Sequence, residues 1–308
     1  MNPYDVIIVG GSNAGLSAAM TLGRSLRHVL VLDNNQPCNR QTPHSHNFLT
    51  RDGETPAAMA AIAREQVLHY PTVKLQTATV VGATAVEDGF EVTTAAGQVF
   101  QSRKLLLATG LKDEMLPIPG FAECWGISVL HCPYCHGYEV HGQKIGLLAN
   151  GNMAAELVNL IYNWSRDLVL FTNGPADFTA EQAAIMHARN IQVVEMPIAE
   201  LEHHNGRLYA VRTTDGASHA LEAAFARVPF RQHSDLAAKL GCTLTDMGLI
   251  QATEFGETNV PGLFAAGDNT TLMRQVASAI ANGSKAAAWI NKELIQQGIY
   301  SQVVALQE

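Results

Sequence analysis

The stretch Asp5-Val6-Ile7-Ile8-Val9-Gly10-Gly11-Ser12-Asn13-Ala14-Gly15 decides how the chain is read. Val6 to Val9 are all β-branched, the following segment is rich in glycine, and 16–25 is helix-like, so the order is strand, tight turn, helix. A second apolar run, 28–32, ends at Asp33, a little over twenty residues past Gly10, where a βαβ dinucleotide unit places the acid that binds a ribose hydroxyl. The glycines let the backbone approach a pyrophosphate, which then sits at the positive end of the helix. Ser12 stands where GxGxxG has its middle glycine, so an ordinary strand-to-helix turn is the competing reading.

Working outward, 104–108 is another buried-strand run ending in Thr109-Gly110. Gly262-Leu263-Phe264-Ala265-Ala266-Gly267-Asp268 is a third, followed by a helical stretch to about Leu294. Strands that end in glycine turns suit an open parallel sheet with its ligand at the carboxyl ends. The middle of the chain repeats the pattern in degenerate form, with 144–149 as strand, Asn150-Gly151-Asn152 as turn and 153–164 as helix. Its partner strand 168–171 ends in Thr172-Asn173-Gly174, which offers neither a carboxylate for a ribose hydroxyl nor a cationic cluster for a 2′-phosphate. Pro117 and Pro119 flank Ile118 as a crossing between domains might require. The expected fold class is α/β, with two Rossmann-like, three-layer dinucleotide-binding domains.

With 308 residues the chain has room for two domains. Twenty Lys and Arg against 28 Asp and Glu leave a formal charge of −8, the wrong sign for neutralising nucleic-acid phosphates. No apolar run is long enough to span a membrane, and the N-terminal residues show no signal-like segment, so a cytoplasmic location is expected. Five cysteines, with Cys38, Cys124 and Cys242 scattered, argue against a structural disulfide framework.

Cys132 and Cys135 stand apart, in His131-Cys132-Pro133-Tyr134-Cys135-His136-Gly137-Tyr138-Glu139. A CxxC pair on a turn entering a helix can close a small disulfide ring, and the helix N-terminus with adjacent imidazoles would lower a thiol pKa toward the reactive thiolate. Three readings compete with redox exchange. Zinc would need ligands beyond these cysteines, the nearby histidines 131 and 136, and Cys124, with no second half-site in the sequence. Cys-Pro-Tyr-Cys-His also matches the CxxCH of covalent haem. Two buried, unreactive cysteines are the last alternative, against which so polar and His-rich a surround counts. His136 is the candidate acid/base, because an imidazole titrates near neutral pH. His44 and His46 are weaker candidates for the same site, and Glu139 and His141 read as ordinary helix or loop residues.

With these motifs in this order, the chain resembles the low-molecular-weight thioredoxin reductase family over nearly its full length. The resemblance rests on the N-terminal glycine turn, Ala108-Thr109-Gly110, the CxxC within the middle segment, and the block 264–276 with Gly267-Asp268 and Arg274-Gln275-Val276. It implies a discontinuous FAD domain from 1–112 and 247–308, and a middle domain, 113–246, of NAD(P)H-binding type that carries the cysteines. It further implies that Gly10, Ser12, Gly15 and Asp33 hold the adenosine diphosphate of FAD. Arg40, Gln41, Asn47, Thr109 and Gly110 would lie along the cofactor, and Gly267, Asp268, Arg274, Gln275 and Val276 near ribityl and flavin. A homodimer is also implied.

Two departures from the family pattern bear on function. Ala149 replaces the first glycine of the second nucleotide turn, and Thr172-Asn173 occupies the place of the 2′-phosphate cluster, which puts NADPH binding in doubt. The family's usual aspartate after the second cysteine is His136 here, in a Cys-Pro-Tyr-Cys-His-Gly-Tyr-Glu string. That string is similar to the FAD-dependent dithiol oxidases that close disulfides in gliotoxin-, holomycin- and romidepsin-type metabolites. The resemblance implies a small-molecule dithiol as substrate, Cys132 as the attacked sulfur, Cys135 as the sulfur nearest the flavin, and oxygen as acceptor. The alternative is a reductase that passes electrons from NAD(P)H or another reduced carrier to a thioredoxin-like protein.

Overall fold

The computed structural model describes residues 4–305. Its strands are β1 (Tyr4–Val9), β2 (Val29–Asp33), β3 (Val73–Thr77), β4 (Val80–Val86), β5 (Gly89–Thr94), β6 (Val99–Leu107), β7 (Leu111–Asp113), β8 (Val129–Leu130), β9 (Ile145–Leu148), β10 (Leu168–Phe171), β11 (Gln192–Val194), β12 (Ile198–His204), β13 (Arg207–Thr213), β14 (Ser218–Ala220), β15 (Ala223–Ala226), β16 (Phe230–Gln232) and β17 (Leu263–Ala265). The helices are α1 (Asn13–Arg24), α2 (Pro56–Leu68), α3 (Phe121–Cys124), α4 (Pro133–His136), α5 (Gly151–Ile161), α6 (Ala180–Ala188), α7 (Leu236–Lys239) and α8 (Val276–Ala305). None of these helices is long and apolar enough to cross a membrane.

The chain divides into two compact units. The first comprises the residues up to Arg40, Ala57–Lys112 and the chain from Arg231 onward; the second comprises Gln41–Pro56 and Asp113–Phe230. Residues 231–246, assigned to the middle domain on sequence, therefore pack with the first unit. Leu236, Ala237 and Cys242 are buried in the same core as Ile7 and Leu32.

The sheet of the first unit runs β3-β2-β1-β6-β5-β4, with β17 also pairing with β6. Pairings β1–β2, β1–β6, β2–β3 and β6–β17 are parallel, and β5 runs antiparallel to both β4 and β6. Val6 to Val9 and 29–32 are buried because both sheet faces are covered, and alternate side chains enter different cores. Val6, Ile8, Val29, Val31, Leu106 and Phe264 pack with Leu16, Leu22, Ile290 and Leu294 of α1 and α8. Ile7, Val9, Leu30, Leu32, Leu105 and Leu107 face Phe90, Val92 and Leu236. The antiparallel pair β4–β5 is a feature that the sequence reading did not include. Its signal was Asp88-Gly89 between β-branched runs, a hairpin dipeptide.

The second unit is built on a parallel five-stranded sheet, β11-β10-β9-β15-β8. One core joins Ile145, Leu147, Leu168 and Leu170 to Leu157, Val158 and Ile161 of α5 and Met186 of α6. The other joins Leu148, Val169 and Phe171 to Leu201, Leu208 and Val211 of the antiparallel sheet β12-β13-β14.

Candidate functional site

Within the first unit, register places the predicted cofactor residues together. Val9 pairs with Leu32 and with Leu107, and Ala265 pairs with Leu107, so β2, β1, β6 and β17 end at one level. Asp33 is the last residue of β2, and Gly10, Thr109, Gly110 and Gly267 follow the ends of β1, β6 and β17. Gly10 has φ +106°, and a Cβ there would lie 2.2 Å from the Ala108 carbonyl oxygen. A Cβ on Gly15 would lie 1.8 Å from the Gly10 oxygen. The turn is thus too close for any other residue. Ser12 is the N-cap of α1 but its side chain makes no capping hydrogen bond, so it does not occupy the first amides of this twelve-residue helix.

Asp33 accepts a hydrogen bond on Oδ2 from Arg64 Nη2 at 2.7 Å. Arg64 lies on α2 and was not anticipated, because nothing local to 56–68 marks it. Asp268 opens a 3-10 turn after Gly267 and faces Arg274 Nε at 3.6 Å, and Gln275 directly precedes α8, which begins at Val276. Beneath Thr109, buried Asn269 donates from Nδ2 to the Leu107 oxygen at 2.9 Å and to Thr109 Oγ1 at 3.4 Å. Asn269 Oδ1 and Gln232 Oε1 are buried acceptors that no described donor reaches. Burial, and then the charges of Lys112, Arg231 and Arg40, hold the His233 pKa below the ordinary histidine value, which marks cationic ground around Arg40. A glycine cradle, an uncapped helix start, a fixed carboxylate and nearby cations fit the diphosphate and ribose of a dinucleotide such as FAD.

The second unit holds the sulfur chemistry. Cys132 and Cys135 form a disulfide with their Cα atoms 5.3 Å apart. Cys132 is the extended N-cap of α4, and Pro133 occupies the first helical position, where a missing N–H costs nothing. Gly137 closes the turn against the Trp164 ring, with a Cβ there 2.8 Å from its Nε1. Because α4 has only four residues, the dipole expected to lower the thiol pKa has little peptide behind it. Among the described residues, no group of three or more His, Cys, Asp or Glu is arranged to hold a metal ion.

Residues 41–56 belong to this cysteine-bearing unit. Gln41 donates to the Ala122 oxygen at 3.2 Å, and the amide of Asn47, at φ +59°, donates to Asp52 Oδ1 at 2.7 Å. Paired hydrogen bonds between Ser45 and the 53–54 backbone tie the loop. His46 then lies with Nδ1 3.5 Å from Glu139 Oε1 and its ring edge-on to His136, centroids 6.2 Å apart. Burial holds the His136 pKa below the ordinary histidine value; Glu139 opposes this and His46 adds to it. Glu139, read on sequence as an ordinary residue, is thus a neighbour of the site, and its spacing three residues after His136 was the available signal.

The second βαβ turn is built differently from the first. Asn150, N-cap of α5, accepts on Oδ1 from the amides of Gly151 at 2.8 Å and Asp177 at 2.9 Å, and donates from Nδ2 to the Pro175 oxygen at 2.8 Å. Thr172 donates to the Gly174 oxygen at 2.6 Å, and Asn173 Oδ1 accepts from the Ile198 amide at 2.8 Å. Glu195 accepts from the Ala176 amide at 2.6 Å. The Gly151 amide and the side chains of Thr172 and Asn173 are engaged with the protein itself, and the acidic side chains of Asp177 and Glu195 stand at the turn. These residues do not fit a pyrophosphate or a 2′-phosphate.

Comparison with known proteins gives the family of the chain. A family profile described as pyridine nucleotide-disulphide oxidoreductase matches residues 4–283. "Thioredoxin reductase tcpT" of Claviceps purpurea is 33% identical over 305 residues, covering 96% of this chain and 95% of the relative. Among solved structures, HlmI has a TM-score of 0.93 at 33% identity, covering 98% of this chain and 96% of that one. A putative thioredoxin reductase TrxB from Bacillus anthracis has a TM-score of 0.92 at 32% identity, covering 96% and 99%. The chain belongs to the pyridine nucleotide-disulphide oxidoreductase family. It is a thioredoxin reductase-like, flavin-dependent disulfide oxidoreductase, and FAD is the cofactor of that class.

Proposed function

We propose that the protein oxidises a substrate dithiol to a disulfide through Cys132 and Cys135, with oxygen as the final acceptor. The observation that supports this direction is the Asn150-capped turn, whose side chain engages the Gly151 and Asp177 amides where a nicotinamide donor's phosphates would be expected. The Cys-Pro-Tyr-Cys-His-Gly-Tyr-Glu string and its resemblance to dithiol oxidases support the same reading.

A substrate thiolate attacks Cys132; the bond to Cys135 breaks and Cys135 leaves with the electron pair. The second substrate thiol resolves the mixed disulfide and frees Cys132. His136, held neutral by burial, takes the thiol proton. Gly10, Ser12, Gly15, Asp33 and Arg40, together with Gly267, Asp268 and Arg274, would hold FAD, which when bound supplies the two-electron couple between sulfur and oxygen. Overall, two electrons and two protons leave the dithiol, and oxygen becomes hydrogen peroxide.

The printed names of several relatives favour a second reading, reduction of a thioredoxin-like protein. An anaerobic titration separates the two. Bleaching of bound flavin by a small dithiol but not by NADPH or NADH, with peroxide formed when air is admitted, supports the oxidase. Rapid stoichiometric bleaching by NADPH sinks it and leaves the reductase.

A further inference from the structure

Four titratable side chains of the second unit, His136, His46, Glu139 and Asp52, cluster beside the residue that follows Cys135. His136 follows Cys135 and is half-buried. His46, from the tied loop, presents its ring edge-on at 6.2 Å, a spacing that a ring tilt or one bridging water closes. His46 Nδ1 has Glu139 Oε1 at 3.5 Å on one side and Asp52 Oδ1 at 3.7 Å on the other. Both carboxylates are more exposed than the imidazole between them, with side-chain exposure of 21% at His46, 37% at Glu139 and 68% at Asp52. His44 stands behind, with its ring centroid 6.3 Å from that of His46 and its Nδ1 2.9 Å from the Gly53 oxygen.

We infer that His46 and Glu139, with Asp52 at the solvent end, are positioning residues that relay the proton of His136 between the cysteine pair and bulk water. The inference rests on the thiol–disulfide exchange proposed above but not on its direction. When a substrate sulfur bonds to Cys132, its S–H proton passes to His136 and Cys135 departs as thiolate. His136 must then shed that proton before the second substrate thiol can be deprotonated. Burial makes a charged His136 unfavourable, so the ring tends to pass the proton on. His46 accepts the proton, and Glu139 and Asp52, whose carboxylate oxygens lie within 3.7 Å of its Nδ1, pass it outward. Return of the proton in the reverse reaction follows the same residues.

The arrangement is also why 41–56 is tied so firmly. The amide of Ser45 donates to the Glu54 oxygen at 2.8 Å, and the Gly53 amide donates back to the Ser45 oxygen at 2.9 Å. The Asn47 amide bond to Asp52 Oδ1 holds that carboxylate within reach of His46. The sequence positions from 46 to 139 have no local relation, so only folding brings them together.

The test uses the FAD-loaded protein and variants His46→Ala, His46→Gln and Glu139→Gln. The rate of anaerobic flavin bleaching by dithiothreitol is followed across mildly acidic to mildly alkaline pH. His46→Ala is expected to slow bleaching by roughly ten- to a hundred-fold, within the range of proton-transfer catalysis. Added imidazole should restore most of the rate in His46→Ala and none in the wild type. Glu139→Gln should move the His136 titration, read by imidazole nitrogen NMR, to lower pH. A His46→Ala variant with the wild-type rate and pH profile overturns the relay. So does one that is slow but unaffected by imidazole, which would mean a packing role. If the wild-type protein fails to react with any dithiol or thioredoxin-like protein, the proposed exchange is wrong. The NMR titration still decides the pairing in that case, and an unmoved His136 in Glu139→Gln overturns it.

Discussion

Asn150 Oδ1 accepts a hydrogen bond from the Asp177 amide at 2.9 Å, which stitches the start of α5 to a loop 27 residues later in the chain. The same oxygen accepts from the Gly151 amide, so one side chain engages an amide at the helix start, where a dinucleotide turn would present it to phosphate. NADPH and NADH are therefore expected to leave the thermal midpoint of the protein unchanged, whereas a ligand binding the folded state would raise it. Asn150→Ala should lower stability by about 1 kcal/mol, the usual cost of an N-cap. A nucleotide-dependent rise in the midpoint of the wild-type protein would contradict this account.

Asp33 and Arg64 define a second expectation. Their side chains are 16% and 32% exposed, so the pair is partly shielded from solvent screening. Arg64→Met removes a charge-assisted hydrogen bond of about 1.5–3 kcal/mol at most, discounted for that exposure, and frees the carboxylate to turn. FAD release on dilution, read as recovered flavin fluorescence, should be faster in Arg64→Met than in Arg64→Lys. Equal release from both variants and the wild type would separate Arg64 from cofactor binding.

The cysteines can be separated by the same optical signal. Cys135→Ser should keep bound FAD and its visible spectrum yet lose dithiol turnover by at least about a hundred-fold, because no thiolate remains to carry the pair onward. Cys132→Ser should retain flavin equally and fail to form the mixed disulfide with substrate, checked by intact mass after trapping. A Cys135→Ser protein that still turns over would place the chemistry elsewhere.

Burial lowers the His136 pKa in the folded state, with Glu139 raising and His46 lowering it. The unfolded chain then binds the proton more tightly than the folded one. The neutral ring's contribution is fully present above the unfolded histidine value of about 6.5 and is lost as pH falls through the lower folded value. Dithiol oxidation should follow the same limb, falling as His136 becomes charged. His136→Asn should be slower at neutral pH and show less acid dependence, which a pH–rate profile of both proteins measures.

Gly283 of α8 meets α1 backbone to backbone; a Cβ there would lie 2.0 Å from the Ala14 carbonyl oxygen. The neighbouring Ala14, Ala286 and Ala287 are buried in the same core. Gly283→Ala should therefore destabilise by about 1–3 kcal/mol as the helices are forced apart. Gly298→Ala, where a Cβ meets nothing within 4 Å, is the control and should be neutral or slightly stabilising. Chemical denaturation of both variants checks the contrast.

What could be read without a structure was whatever neighbouring residues express together. The β-branched run into Gly10, the acid at Asp33 that ends the next strand, the CxxC with His136 and the missing glycine at 149 each lie within a short segment, and each is visible because it depends on local spacing. The antiparallel β4–β5 pair was legible in the same way at Asp88-Gly89 and was overlooked. Tertiary structure alone decided which distant residues complete those segments. Arg64 reaches Asp33, Gly283 reaches Ala14, Asp177 closes on Asn150, and the 41–56 loop joins the cysteine-bearing unit so that His46 meets Glu139. The reason is physical: a motif's spacing is set by backbone geometry, whereas a contact between remote residues is set by how buried faces pack, and no short window of sequence records that.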